Sequence, residues 1–219
     1  MSATPWILAG GGVAALGTYL WMRREQESNE PILGRWVWPL GTWRNRKPEI
    51  SSGFDSERRS PKGERIPHNG VDLMYRRIEG DKCPPGTPNG SRGFVMPDHR
   101  AALAAADGVA SLAVNTLRGW SVIVDHSPSK ISTYYTHLSQ LLVVPQQVVL
   151  AGQPIGIIGS DPQDAEHLMH LHFELWRGGR KGAIDPEKLM REWEYVADPG
   201  DLPQALARNA SPFPAPPRS

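Results

Sequence analysis

The stretch MHLHFELW, residues 169–176, decides how the rest of the chain is interpreted. Successive side chains of a β-strand point to opposite faces, so a strand here would bury an apolar face made of Leu171, Phe173 and Leu175. The other face would carry the polar set His170, His172, Glu174 and Trp176. Two imidazoles would therefore project side by side from a sheet. This arrangement suits a metal ligand beside a catalytic base.

A second cluster of polar residues occurs in PHNGVDL, residues 67–73. The Asn69-Gly70 pair predicts a turn, and the residues from Val71 onward predict the start of a strand. His68 and Asp72 supply one imidazole and one carboxylate, and a further nitrogen from His172 would complete three ligands with one position open for water. The single cysteine, Cys83, excludes a thiolate-rich zinc site, so any metal must be held by nitrogen and oxygen.

A third histidine follows a strongly β-forming run in YYTHLS, residues 134–139. Taken alone, His137 is most simply a surface histidine at the end of a buried strand. The remaining histidines, His99 and His126, are expected in turns, whereas His167, Asp164 and Asp161 are candidates to line a cleft.

Together these segments resemble the lysostaphin/LytM-type zinc endopeptidases, which cut peptide cross-links in bacterial peptidoglycan. The resemblance covers roughly residues 50–184 and includes HNGVDL, YYTHLS, HLHFELW and the run VVLAGQPIGIIGS at 148–160. It implies one Zn²⁺ per chain with the ligands His68, Asp72 and His172. It also implies that His137 and His170 flank the catalytic water, without assigning which one is the base. Glu174 either orients a ligand or is a surface carboxylate.

The predicted fold is mainly β, an antiparallel LytM-like peptidase domain over residues 49–196. Short β-type runs lie between turn signals at 119–125, 131–137, 147–150 and 154–159. Residues 185–194 predict a short helix with an Asp cap and Pro at its first position. Residues 25–48 are interpreted as a tether that leads into a first strand at 34–38, and residues 197–219 as a Pro-rich disordered tail.

Residues 4–22 carry no charged side chain and predict a membrane-spanning helix, so that residues 1–24 form an anchor. A cleaved signal peptide is the alternative, but no basic region precedes the apolar run. Arg23 and Arg24 directly after the span favour a cytoplasmic domain by the positive-inside rule, which conflicts with an enzyme that acts on the cell wall.

The expected partners are peptidoglycan and a membrane. The balance of 24 basic against 23 acidic residues excludes binding of nucleic acid through overall charge. The expected location is the bacterial envelope with the domain facing the periplasm or wall, or alternatively a phage virion. A second functional class is a catalytically silent module that activates other wall hydrolases, which the intact set of histidines disfavours. Residues 74–100, longer than the turn usual in the family, are expected to form a wall of the substrate groove.

Overall fold

The computed structural model describes residues 34–59, 63–127, 129–163 and 167–197. Thirteen strands are formed in this part of the chain, eleven of them in one antiparallel sheet. The strands are β1 (Glu49–Ser52), β2 (Glu57–Arg59), β3 (Arg65–Pro67), β4 (Val71–Arg76), β5 (Phe94–Val95), β6 (Ala101–Leu103), β7 (Gly108–Thr116), β8 (Gly119–His126), β9 (Ile131–Leu141), β10 (Gln147–Val149), β11 (Pro154–Ile158), β12 (Leu171–Arg177) and β13 (Ala183–Ile184).

The main path of the sheet runs β1-β4-β12-β9-β8-β7-β10. β11 pairs with β6 and β9, β13 with β12, and β5 with β4, while β2 and β3 form a separate hairpin. The mainly β antiparallel prediction is therefore confirmed. β12 lies between β4 and β9, so this strand sits inside the sheet and contacts the strands that carry Asp72 and His137. It contains His172, whereas His170 lies one residue before its start.

The alternation of β12 places its apolar residues in the core. Leu171, Phe173 and Leu175 are fully buried, and the Phe173 ring packs 5.3 Å from that of Tyr135 on β9. The Tyr135 hydroxyl accepts hydrogen bonds from the Ala105 amide at 2.8 Å and from the Thr133 hydroxyl at 2.9 Å, and burial raises its pKa. This packed layer fixes the direction of the opposite face of the sheet, where the polar residues lie.

The segment before β1 packs onto the domain. Residues 34–38, where the sequence predicts a strand, instead form one isolated parallel bridge between Val37 and Glu194. The Trp36 ring stacks on that of Trp193 with centroids 4.9 Å apart, and both side chains are buried. Tertiary packing of the tryptophans thus replaces the regular pairing that their β propensity suggests.

The C-terminal helix is shorter than predicted. Helix α1 spans Pro186–Met190, and the Asp185 side chain caps it by accepting a 2.9 Å hydrogen bond from the Glu187 amide. The cap and the N-terminal proline are thus as expected. The residues after 191 turn back and form backbone hydrogen bonds with residues 34–38.

None of the helices among the described residues is long and apolar enough to cross a membrane. The predicted span at residues 4–22 and the tail beyond residue 197 lie outside the described residues.

Candidate functional site

Three candidate metal ligands converge at the junction of β4 and β12. Asp72 and His172 are direct cross-strand neighbours, and His68 lies on the turn that precedes β4. His172 Nδ1 is 3.0 Å from Asp72 Oδ1 and 3.0 Å from His68 Nε2, and His68 Nε2 is 3.2 Å from Asp72 Oδ1. Two imidazole nitrogens and a carboxylate oxygen, all within 4.8 Å of one another, form a donor set that fits a divalent metal such as zinc.

Each ligand is oriented by a second contact. The His68 Nδ1–H donates to the Gly53 carbonyl at 2.7 Å, which leaves the Nε2 lone pair facing the cluster. Asp72 uses Oδ1 toward the histidines, while its Oδ2 accepts a hydrogen bond from Arg58 on β2. No feature of the sequence pointed to Arg58, because its approach depends on how the β2–β3 hairpin folds over β4.

His172 is held by a chain of two further side chains. Its Nε2–H donates to Glu174 Oε1 at 2.9 Å, and Glu174 Oε2 accepts a 2.6 Å hydrogen bond from Trp176 Nε1. Glu174 is only 4% exposed, so it is not the surface carboxylate that the sequence left open. The alternation of β12 therefore builds both a candidate ligand and the carboxylate that orients it.

The protonation of this cluster is set by competition between burial and charge. Burial alone would raise the pKa of Asp72, but the side-chain contacts with His172 and His68 outweigh burial and hold that pKa well below its usual range. Burial alone would lower the pKa of His172, but Asp72 and Glu174 raise it to about 9. The Asp72 carboxylate thus stays ionised at the centre of the ligand set.

His137 and His170 face each other beside the ligand set, with ring centroids 4.6 Å apart. The His137 Nδ1–H donates to the Arg118 carbonyl at 3.1 Å, and the His170 Nδ1–H donates to the Leu168 carbonyl at 2.8 Å. Each Nδ1 is thereby committed to a backbone carbonyl, which leaves Nε2 as the ring nitrogen available for acid–base chemistry. Burial, together with the nearby His170 and His172, moves the pKa of His137 far below its ordinary value.

The backbone at His137 adopts a left-handed conformation with φ of 65°, which is uncommon for a residue with a side chain. It is held on both sides by glycines. The Gly159 amide donates to the His137 carbonyl at 2.7 Å, and a Cβ at Gly119 would lie 3.1 Å from the Leu138 carbonyl oxygen. These close approaches aim the imidazole into the site rather than along the regular face of β9.

All five predicted site residues line one open cleft of about 320 Å³. Asp161, a weaker candidate, also lines it: the buried carboxylate pairs with Arg118 at 3.1 Å and lies 3.8 Å from His137 Nε2. The sequence gives no signal for Arg118, Arg58 and Arg180, which also line the cleft, because isolated arginines carry no recognisable spacing.

The other histidines lie elsewhere. His99 is exposed in a turn, His167 is exposed in an irregular segment, and Asp164 lies outside the described residues. His126 is buried within β8, where its ring nitrogens contact the Asp107 carbonyl and the Thr133 hydroxyl, both at 2.8 Å.

Residues 74–100 do not form a wall of the cleft, which corrects the sequence-based expectation. This segment is anchored instead by a part-buried double hydrogen bond between Arg46 and Asp81, with both N···O distances 2.9 Å. Its Pro88 carbonyl accepts a 2.6 Å hydrogen bond from the Met169 amide, the residue before His170. The insertion therefore supports His170 from the side opposite the cleft.

Cys83 is partly exposed and does not line the cleft. Burial raises the pKa of its thiol.

Comparison with known proteins gives a match to one peptidase family. Residues 89–186 match the sequence model described as Peptidase family M23. This part of the chain is similar to M23 peptidases. The resemblance to lysostaphin/LytM-type peptidases is thereby confirmed. The matched segment contains His137, His170 and His172 but begins after His68 and Asp72, so the sheet register is what adds those two residues to the M23 site.

Three similar proteins show how far the similarity extends. The chain is 31% identical over 173 residues to the peptidoglycan DD-endopeptidase ShyA of Vibrio cholerae, covering 74% of this chain and 34% of ShyA. It is 37% identical over 83 residues to the murein hydrolase activator NlpD of Escherichia coli, covering 37% of this chain and 21% of NlpD. A solved structure of a zinc-containing peptidase from V. cholerae matches with a TM-score of 0.50 and 25% identity, over 69% of this chain and 39% of that one. The chain thus spans about a third, or less, of the length of these two curated relatives.

Proposed function

We propose that this protein is a zinc-dependent endopeptidase that hydrolyses peptide cross-links of bacterial peptidoglycan. The observation that carries the proposal is the convergence of two oriented imidazoles and a carboxylate beside two further histidines in one open cleft. Relatives named as a peptidoglycan endopeptidase and a zinc-containing peptidase support it.

His68, Asp72 and His172 would hold one Zn²⁺. When bound there, zinc supplies Lewis-acid polarisation of the scissile carbonyl and lowers the pKa of a coordinated water toward about 7. The chain prepares this chemistry by presenting unprotonated His68 Nε2 and by holding each ligand through Gly53, Glu174 or Arg58. The donor set carries one negative charge, which leaves a bound divalent ion net positive and electrophilic.

His137 and His170 would move protons. Each Nδ1–H is committed to a backbone carbonyl, so each Nε2 is the atom that accepts or returns a proton at the reacting centre. One of them takes the proton of the attacking water, and the protonated imidazole then donates to the leaving amine. Burial lowers the pKa of His137, which disfavours storing a proton there and favours rapid return to the substrate.

We further propose that residues 1–24 anchor the protein in a membrane with the M23 domain outside the cytoplasm. The uncharged run at residues 4–22 supports the anchor, and the substrate requires the outer location. Arg23 and Arg24 favour the opposite orientation, so topology must be measured. Protease accessibility of a C-terminal tag in intact spheroplasts tests it: a protected tag would contradict the outer location.

The second candidate function is activation of another wall hydrolase, which the similarity to NlpD favours. It requires no chemistry in the cleft. The complete and oriented set of five residues favours the enzyme, because a binding module has no need of buried charge held in this geometry.

The two functions are separated by incubating the purified protein with isolated peptidoglycan, with zinc or with excess chelator. Released fragments are identified by mass spectrometry. The endopeptidase produces cleaved cross-links only with zinc, and His137→Ala produces far fewer of them. If no fragment appears unless another wall hydrolase is added, the activator function replaces the proposed enzyme.

A further inference from the structure

The loop between β1 and β2, residues 53–56, holds both the ring and the backbone of His68. The Gly53 carbonyl accepts a 2.7 Å hydrogen bond from His68 Nδ1–H, and the Ser56 hydroxyl lies 3.2 Å from the same nitrogen. The Asp55 amide donates to the His68 carbonyl at 2.8 Å. The position of this loop therefore sets the position of a candidate metal ligand.

Glu187 holds this loop from a distant part of the sequence. Its Oε1 accepts a 3.1 Å hydrogen bond from the Phe54 amide, 133 residues earlier. The same oxygen occupies the space that a side chain at position 53 would need, since a Cβ on Gly53 would collide with it. The carboxylate is thus packed against the loop as well as hydrogen-bonded to it.

Helix α1 keeps the backbone of Glu187 in a fixed position. The Asp185 side chain caps the helix at the Glu187 amide, and Pro186 and Met190 are buried in the core. The Met190 carbonyl accepts a 3.2 Å hydrogen bond from the amide of Trp193, whose buried ring stacks on the tryptophan segment. A closely packed element of this kind resists displacement, so Glu187 can transmit its position to the loop.

We propose that Glu187 is a positioning residue of the metal site, which acts on the ligand His68 through the loop at 53–56. The inference rests on the zinc site of the proposed function. The chain of contacts runs from Glu187 Oε1 to the Phe54 amide, and from the adjacent Gly53 carbonyl to the His68 ring. Glu187 does not line the cleft, so it touches neither the metal position nor a substrate.

The geometry of the ligand set makes it sensitive to small movements of the His68 ring. His68 Nε2 lies 3.0 Å from His172 Nδ1 and 3.2 Å from Asp72 Oδ1, so a ring that rotates takes one of three donors away from the other two. Partners that orient a metal ligand typically change metal affinity by roughly 10–100-fold when they are removed. Glu187 acts one contact further away, so we expect a change at the lower end of this range.

The working group of Glu187 is an acceptor oxygen rather than a charge. Its partner is the uncharged Phe54 amide, and a glutamine side chain offers an oxygen at the same place. Glutamine at position 187 should therefore keep the contact, whereas alanine should lose it.

The test measures zinc affinity of the full chain in detergent by competition with a chromophoric chelator. Glu187→Ala is expected to bind zinc about tenfold more weakly, while Glu187→Gln binds as the wild type does. Glu192→Ala removes the same side chain at an exposed position after the helix and is the matched control. Urea unfolding with excess chelator shows that each variant is folded under the conditions of the binding measurement.

A second variant reaches the same contact from the loop. Gly53→Ala displaces Glu187 Oε1 and should also weaken zinc binding about tenfold. A Cβ at Gly53 meets only the Glu187 side chain within 4 Å, so Gly53→Ala should cause no further loss in the Glu187→Ala protein. Wild-type affinity in Glu187→Ala, an equal loss in Glu187→Gln, or additive losses in the double variant would overturn the inference.

The two proposals fail in different ways. If the zinc-loaded protein cleaves cross-links and Glu187→Ala binds zinc as tightly as the wild type, the endopeptidase stands and the positioning role is wrong. If the zinc affinities follow the expected pattern and the zinc-loaded protein cleaves no cross-link, the positioning role stands and the endopeptidase is wrong.

Discussion

The two halves of the candidate metal site are built in different ways. β12 places His172 and Glu174 on one face by simple alternation, and its other face is a buried apolar layer. The half that carries His68 and Asp72 is a turn leading into β4, and it is positioned by contacts with residues distant in sequence, such as Gly53 and Arg58. The first half is local and the second is tertiary. The family match at residues 89–186 includes only the first.

The largest effect is expected from removing the ligand that joins the two halves. His172→Ala deletes one of three donors and breaks the contact with Asp72, so metal binding and cleavage should both be lost. Metal content by mass spectrometry of the purified protein measures this. His167→Ala, an exposed histidine five positions earlier, is the matched control. Full metal stoichiometry in His172→Ala would show that the ligand assignment is wrong.

His137→Ala separates proton transfer from metal binding. His137 makes no hydrogen bond to Asp72, His68 or His172, so metal should remain bound while kcat falls about 10²–10⁴-fold, the usual contribution of a general acid or base. Metal content and cleavage are measured on the same sample. Loss of metal together with activity would place His137 among the ligands.

Glu174→Gln tests the support given to the local half. The substituted amide must present an N–H either to His172 Nε2 or to Trp176 Nε1, both of which donate at present, so one contact is lost. Affinity for zinc should weaken about 10–100-fold with little loss of fold. Competition with a chromophoric chelator measures it, and Glu192→Gln on the surface is the control. Unchanged affinity would mean that Glu174 does not orient His172.

Gly70→Ala tests the support given to the tertiary half. A Cβ at Gly70 would lie 2.2 Å from the Phe173 carbonyl oxygen, so the turn must move away from β12. The free energy of unfolding should fall by about 1–3 kcal/mol. Gly93→Ala, where a Cβ meets nothing within 4 Å, should be nearly neutral. Denaturant unfolding with chelator present compares the two, and equal stability would remove the proposed constraint.

The smallest effect concerns His126, which belongs to neither half. Burial lowers its pKa in the folded state, against the opposing effect of the Asp107 carbonyl. Below about pH 6.5 the unfolded chain therefore binds a proton that the folded chain does not, and stability falls with falling pH.

His126→Gln should reduce that slope by at most about 1.4 kcal/mol per pH unit, the value for one proton. Urea unfolding between pH 5 and 7 with chelator present measures it, and parallel slopes for the two proteins would contradict it.

Sequence patterns predicted those parts of the molecule whose geometry is periodic or chemically recognisable. The strands from Gly119 onward and the cap at Asp185 follow from alternation and local hydrogen bonding. The tryptophan segment at 34–38 was misread because its burial comes from Trp193 and Glu194, about 157 residues later. The insertion at 74–100 was misplaced because its anchor, the Arg46–Asp81 contact, has no local signal.

By itself, the sequence determined the chemistry that is available: two histidines alternating on a strand, a histidine and an aspartate four residues apart, and no thiolate set. Only the tertiary structure decided which of these groups meet. The register that pairs His172 with Asp72, the left-handed backbone that aims His137, and the arginines around the cleft all depend on distant contacts. The alternation of side chains follows from the geometry of one strand. The convergence of the candidate site residues requires that separate strands bury their apolar faces together.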